Sequence, residues 1–144
     1  MALVALATSP GPGMDFSTGE LAAQITGLFA GEDLLVVAPC YIKTSDGLVW
    51  MSNGTAATEP AEFSGFTPRA VKAGQPVTLY SLGACFRYGA FSGQAGDLLY
   101  IAATAGRLDT AATTGGLVAV AKILDTSRIQ CIRISTGASG AALG

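Results

Sequence analysis

At 144 residues, half of them apolar, the chain has the length of one domain able to bury a core without staples. Eight Lys plus Arg against ten Asp plus Glu give a net charge of −2 and no basic stripe, which argues against direct nucleic-acid binding. A charged fraction of 12%, against roughly 25% in ordinary soluble domains, implies a surface of small, hydroxyl and some apolar side chains, one expected to be occupied by partner subunits or else the skin of a small, robust monomer.

The first 14 residues, MALVALATSPGPGM, begin with small apolar side chains and run into two prolines alternating with two glycines. Such a run excludes regular structure, so this segment is expected to be ordered only by docking outside its own sheet, with Leu3, Val4 and Leu6 as a sticky arm, or to be a disordered leader. It lacks a basic flank and is too short for a signal h-region or a membrane span; the chain is therefore expected to be made soluble and to stay inside the cell until something releases it.

Residues 15–30 carry conflicting signals: Leu21, Ala22, Ile25, Leu28 and Phe29 have helical spacing, but Gly19 and Gly27 interrupt it, and residues 24–29 serve better as a strand. Strands are expected next at 34–37, 40–43 and 48–52. Asp46-Gly47 between the last two is the strongest hairpin signal in the chain, since both central positions of a type I′ turn need positive φ. Asn53-Gly54 reads as a turn, although with Thr55 it is formally a sequon.

A polar loop carrying Glu59, Pro60 and Glu62 leads to Gly65-Phe66, where a strand restarts. Residues 76–80 show the period of two that a half-buried strand imposes, and 98–102, a run of strand-forming residues, also reads as sheet. The stretch 30–37 overlays on 95–101, and a Gly-Leu-Val follows each, which reads either as a weak two-fold repeat or as strand-turn monotony. The tail, 135–144, has little to bury and is expected to be mobile.

Chemistry is hard to place on this chain. With no histidine, the Ser-His-Asp and Cys-His arrangements are excluded. The three cysteines Cys40, Cys85 and Cys131 form no CxxC and are expected as buried free thiols, so neither a metal nor a cofactor is expected. Asp97, Asp109 and Asp125 read as turn formers, not a catalytic pair, and the chain is expected not to be an enzyme. The aromatics read as core or subunit contacts. Phe86-Arg87-Tyr88, with Phe91 beyond and Trp50 earlier, has the composition of an interface hot spot.

The order of phrases AGEDLLVVAPCYIKTSDGLVWMSNGTA, FTPRAVKAGQPVTLYSLGACFRYG and GDLLYIAATAGRLDTAATTGGLVAVAKILDTSRIQCIRI resembles the head decoration, or cement, proteins of tailed double-stranded DNA phages. The resemblance covers residues 25–134 and rests on turn-and-strand phrases, with no catalytic motif. It implies an all-β fold, a small β-barrel or β-tulip-like domain over residues 15–134 with an extended N-terminal arm, 1–14, that grips the capsid. It further implies the major capsid protein as partner, self-association as a homotrimer or a dimer, and a place on the outer capsid surface of the virion after synthesis in the host cytoplasm. The alternatives are another virion β-domain, from tail or baseplate, and a carbohydrate-binding β-sandwich.

Overall fold

The computed structural model describes residues 3–6, 12–14, 23–89, 94–133 and 137–138. Described residues form strands β1 (Gly13–Met14), β2 (Gln24–Phe29), β3 (Pro39–Ile42), β4 (Val49–Met51), β5 (Glu62–Phe63), β6 (Gly65–Phe66) and β7 (Pro76–Tyr80). They continue with β8 (Cys85–Arg87), β9 (Leu98–Ile101), β10 (Leu108–Asp109), β11 (Ala121–Ile123), β12 (Arg128–Cys131) and β13 (Gly137–Ala138). The fold is all-β: a six-stranded sheet in the order β1-β8-β12-β11-β9-β10, a five-stranded sheet in the order β2-β7-β6-β3-β4, and the pair β13-β5. Neighbouring strands run antiparallel throughout.

Alternation sets which face each strand buries. On β7, Val77 and Leu79 are buried and Thr78 and Tyr80 half-buried; on β9, Leu99 and Ile101 turn inward while Leu98 and Tyr100 do not. Together with Ile123, Ile129, Cys131 and Phe86, the inward residues of the six-stranded sheet meet Val37, Phe63 and Phe66. Phe66 is the contact between sheets: its ring lies 5.3 Å from Phe63 and 5.3 Å from Phe86. Each fully buried side chain of this size contributes about 3 kcal/mol of transfer free energy. A second cluster of smaller residues, among them Ala30, Leu34, Cys40, Val49, Val77 and Leu79, packs within the five-stranded sheet.

The chain beyond β2 reaches the far edge of the same sheet. Ala30 forms a parallel bridge with Val49, and the Gly31 N–H donates to the Val49 carbonyl at 2.8 Å. Gly31 packs so closely on the Trp50 ring that a Cβ would sit 2.5 Å from its Cε2 atom. No larger residue fits there.

Several expectations are revised. Residues 34–37 do not form a strand: Leu34 makes a single bridge to Val71, and the chain then turns with Val37 at φ 49. A β-branched residue in the left-handed region is strained, and Thr67 holds the turn in place. Its hydroxyl donates to Leu35 O at 2.6 Å and accepts from Ala38 N–H at 3.0 Å, while its carbonyl accepts from Val37 N–H at 3.0 Å. The matching stretch 95–101 forms a turn and β9, so the two copies of the overlay fold differently.

The hairpin at Asp46-Gly47 is present, but only Gly47 has positive φ, and the Lys43 N–H bonds to Leu48 O across a four-residue loop in place of a two-residue type I′ turn. Asp46 caps that loop by accepting from Leu48 N–H. In the N-terminal segment Gly13 and Met14 pair with Arg87 and Phe86 despite the surrounding prolines and glycines. Of the tail, Gly137 and Ala138 pair with Phe63 and Glu62; the rest lies outside the described residues. Cys40, Cys85 and Cys131 are free and buried.

Candidate interaction surface

Asp97, Asp109 and Asp125 are committed to the turns that hold them. Asp97 accepts from Gln94 N–H, Asp109 from Ala111 N–H, and Asp125 from Ser127 N–H, Arg128 N–H and the Arg128 guanidinium at 2.8 Å. These bonds hold the Asp125 carboxyl below its ordinary range, the Ser127 N–H first among them. Among the described residues no group of three or more His, Cys, Asp or Glu is placed to hold a metal ion. Burial pushes the Cys131 thiol up to about 12 and raises Cys40 as well, which disfavours the reactive thiolate at both.

The expected aromatic hot spot comes apart in three dimensions. Phe86 and Tyr88 are fully buried and belong to the core, so neither offers surface to a partner, while Arg87 between them is exposed. The two-residue spacing of Phe86 and Tyr88 around a charge is the core face of a strand, and that period was the signal to read. Phe91 lies outside the described residues. Trp50 is half-buried and already partnered: Lys43 Nζ stands 4.5 Å from the ring centroid, the indole N–H donates to Asp46 at 3.3 Å, and Gly31 covers part of the ring. Beside it Tyr41 is raised by burial first and then by Glu59, Glu32, Asp46 and Glu62, so this end of the hairpin is acidic.

The arm residues separate likewise. Val4 is buried in the first cluster, with Leu6 partly buried against it. The Val4 N–H donates to Leu108 O at 3.1 Å, its carbonyl accepts from Arg107 Nη2 at 2.8 Å, and Leu3 bridges Asp109 on β10. The segment expected to need outside support is therefore latched to its own domain, because its apolar side chains fill a gap beside β10. Leu3 alone of the three is exposed, at 46%.

Apolar exposure lies elsewhere, in residues the sequence did not single out as surface: Phe29 at 50%, Leu117 at 48%, Leu82 at 46%, Leu98 at 44% and Val118 at 38%. Leu117 and Val118, from the second Gly-Leu-Val, sit in an irregular segment before β11. Beside the β2 bulge an open notch of about 140 Å³ is lined by Gly27, Leu28, Arg69, Pro76, Val77 and Thr78.

Scanned against models of known protein families the chain matches none, and no curated protein is similar to it in sequence.

Proposed function

We propose that this chain is a structural virion protein that binds the outer surface of a tailed-phage capsid, bridges neighbouring capsomers and stabilises the expanded head, without catalysing any reaction. The observation that carries the reading is the set of large apolar side chains left in solvent, Phe29, Leu117, Leu82 and Leu3, on a chain with only 12% charged residues. Such a surface fits a protein partner better than a polyanion or a small polar substrate. Many weak copies suit it as well, because linked contacts on one shell multiply into effectively permanent attachment.

The finer fold reading, a small barrel or tulip, is supported by the Ala30–Val49 bridge, which brings the continuation of β2 to the opposite edge of its sheet. The partners in this reading are the major capsid protein and further copies of the chain, as trimers or dimers, with neither nucleic acid nor membrane involved. Among the described residues no helix is long and apolar enough to cross a membrane. Of the arm, Leu3 is the side chain free to touch a capsid, since Val4 is used by the core.

Removing the whole arm would take away core and edge contacts along with any gripping contact, so point changes test the reading better. Leu3→Ser and Leu117→Asp are expected to keep the melting temperature and to lower the number of copies seen on undecorated expanded heads by electron cryomicroscopy. Wild-type protein that leaves such heads bare would overturn the proposal.

A further inference from the structure

The six-stranded sheet gathers positive charge on its outer face. Alternation turns Phe86, Leu99, Ile123 and Ile129 into the core, so their neighbours Arg87, Leu98, Lys122, Arg128 and Gln130 face outward. Register sets these side chains in two rows across the sheet. One row runs Gly13, Arg87, Arg128, and the next runs Gln130, Lys122, Leu98. Of the eight Lys and Arg in the chain, Arg87, Lys122 and Arg128 therefore share one face.

Arg87 breaks a rule of strand pairing. It is exposed and lies directly opposite Arg128, where Cβ atoms stand about 5 Å apart and like charges destabilise the ladder. Asp125 holds the Arg128 guanidinium at 2.8 Å and so fixes that side chain in place. Arg87 has no such partner among the described residues, and Gly13, its other register neighbour, brings no side chain to cover it. Local rules are broken where function requires it, and here an incoming anion would complete the charge pattern. Beside the cations, Leu98 is 44% exposed and Tyr100 half-buried. Arginine and tyrosine next to an apolar side chain is the composition of a protein contact.

We infer that this face binds an acidic protein segment, with one carboxylate held between Arg87 and Arg128, a second beside Lys122, and an apolar side chain over Leu98. Charge selects the occupant, because guanidinium forks match carboxylates with two parallel hydrogen bonds. Nucleic acid fits less well: three cations neutralise little of a phosphate backbone, and Leu98 gives such a strand nothing to bond. The contact is separate from the one proposed with the shell. Ion pairs on an exposed face weaken as salt rises, whereas adhesion to the shell rests on apolar burial. Failure of head binding would leave this contact untouched.

Fluorescence anisotropy with a labelled peptide of alternating Glu and Leu tests it at about 0.01 M salt, where the screening length is ~30 Å. The wild type is expected to bind the peptide. Arg87→Gln is expected to bind it about tenfold more weakly, the loss of one charge-assisted hydrogen bond, with a melting temperature unchanged or raised because the like-charge pair is gone. Arg69→Gln, an exposed cation outside this sheet, is expected to bind like the wild type. A wild type that ignores the peptide, an equal loss in both variants or in neither, or a melting temperature lowered by Arg87→Gln would each overturn the inference. So would a single-stranded oligonucleotide of the same charge bound as tightly as the peptide. Self-association of the wild type at this salt, abolished by Arg87→Gln in sedimentation, would overturn it in favour of a second copy as the acidic partner.

Discussion

The two hydrophobic clusters do different jobs. The first lies between the sheets and is built on large rings, Phe63, Phe66, Phe86 and Tyr88, with Val4 of the N-terminal segment sealing it. The second lies within the five-stranded sheet and is built from Ala30, Ala38, Cys40 and short aliphatics. Large rings join elements that are distant in sequence, and small residues let one sheet bend closely on itself. The difference locates stability in the first cluster and shape in the second.

Phe66→Ala is the strongest way to break that comparison. It empties the contact between sheets and is expected to cost ~3–5 kcal/mol, whereas Cys40→Ala in the second cluster is expected to cost about 1 kcal/mol. Urea unfolding of both variants checks this, and equal costs would erase the distinction.

Next in size is Gly54→Ala. A Cβ there would press on the Ile101 carbonyl at 2.8 Å and on the Thr113 hydroxyl, which itself donates to Ile101 O at 2.7 Å and accepts from Gly116 N–H at 3.0 Å. A loss of ~1–3 kcal/mol is expected from overpacking beside β9.

The thiols sharpen the comparison, since one lies in each cluster. Cys131 has a folded pKa raised from 9.0 to about 12, so its stabilising contribution is complete below 9.0 and is lost as pH rises toward about 12. Thermal unfolding is expected to worsen from about pH 9 upward. Cys131→Ala should reduce the slope of stability against pH by about 1.4 kcal/mol per unit in that window, and an unchanged slope would remove this thiol from the account. Cys40, raised in the same direction, keeps part of the alkaline sensitivity.

Smaller and more local is Arg107→Ala. Loss of the bond to the Val4 carbonyl is expected to speed hydrogen exchange at the Val4 amide while amides of β12 stay protected. Uniform exchange at both would mean that the N-terminal segment is not separately latched.

Much of the strand content was legible in the sequence, because alternation on β7, β9 and β12 reports burial directly. Residues 24–29 also resolved as a strand against a competing helical spacing, since Gly27 takes positive φ at a bulge that no helix would hold. What misled was apolar content without direction. Val36 and Val37 have strand composition, yet Thr67, thirty residues away, bends them into a turn. Phe86 and Tyr88 looked like interface, yet the sheet turns both inward. For the surface, low charge announced that some apolar side chains would stay exposed; which ones do so depended on register, and Phe29 and Leu117 emerged only in three dimensions.

The proposed adhesion to a protein shell through sparsely ionised surface is tested most directly by cosedimentation of the full chain with undecorated expanded heads of a tailed phage. Between about 0.05 M and about 1 M salt, where the screening length falls to ~3 Å, the bound fraction is expected to stay nearly constant. Failure to bind the heads at any salt, or release as salt rises, would contradict the account.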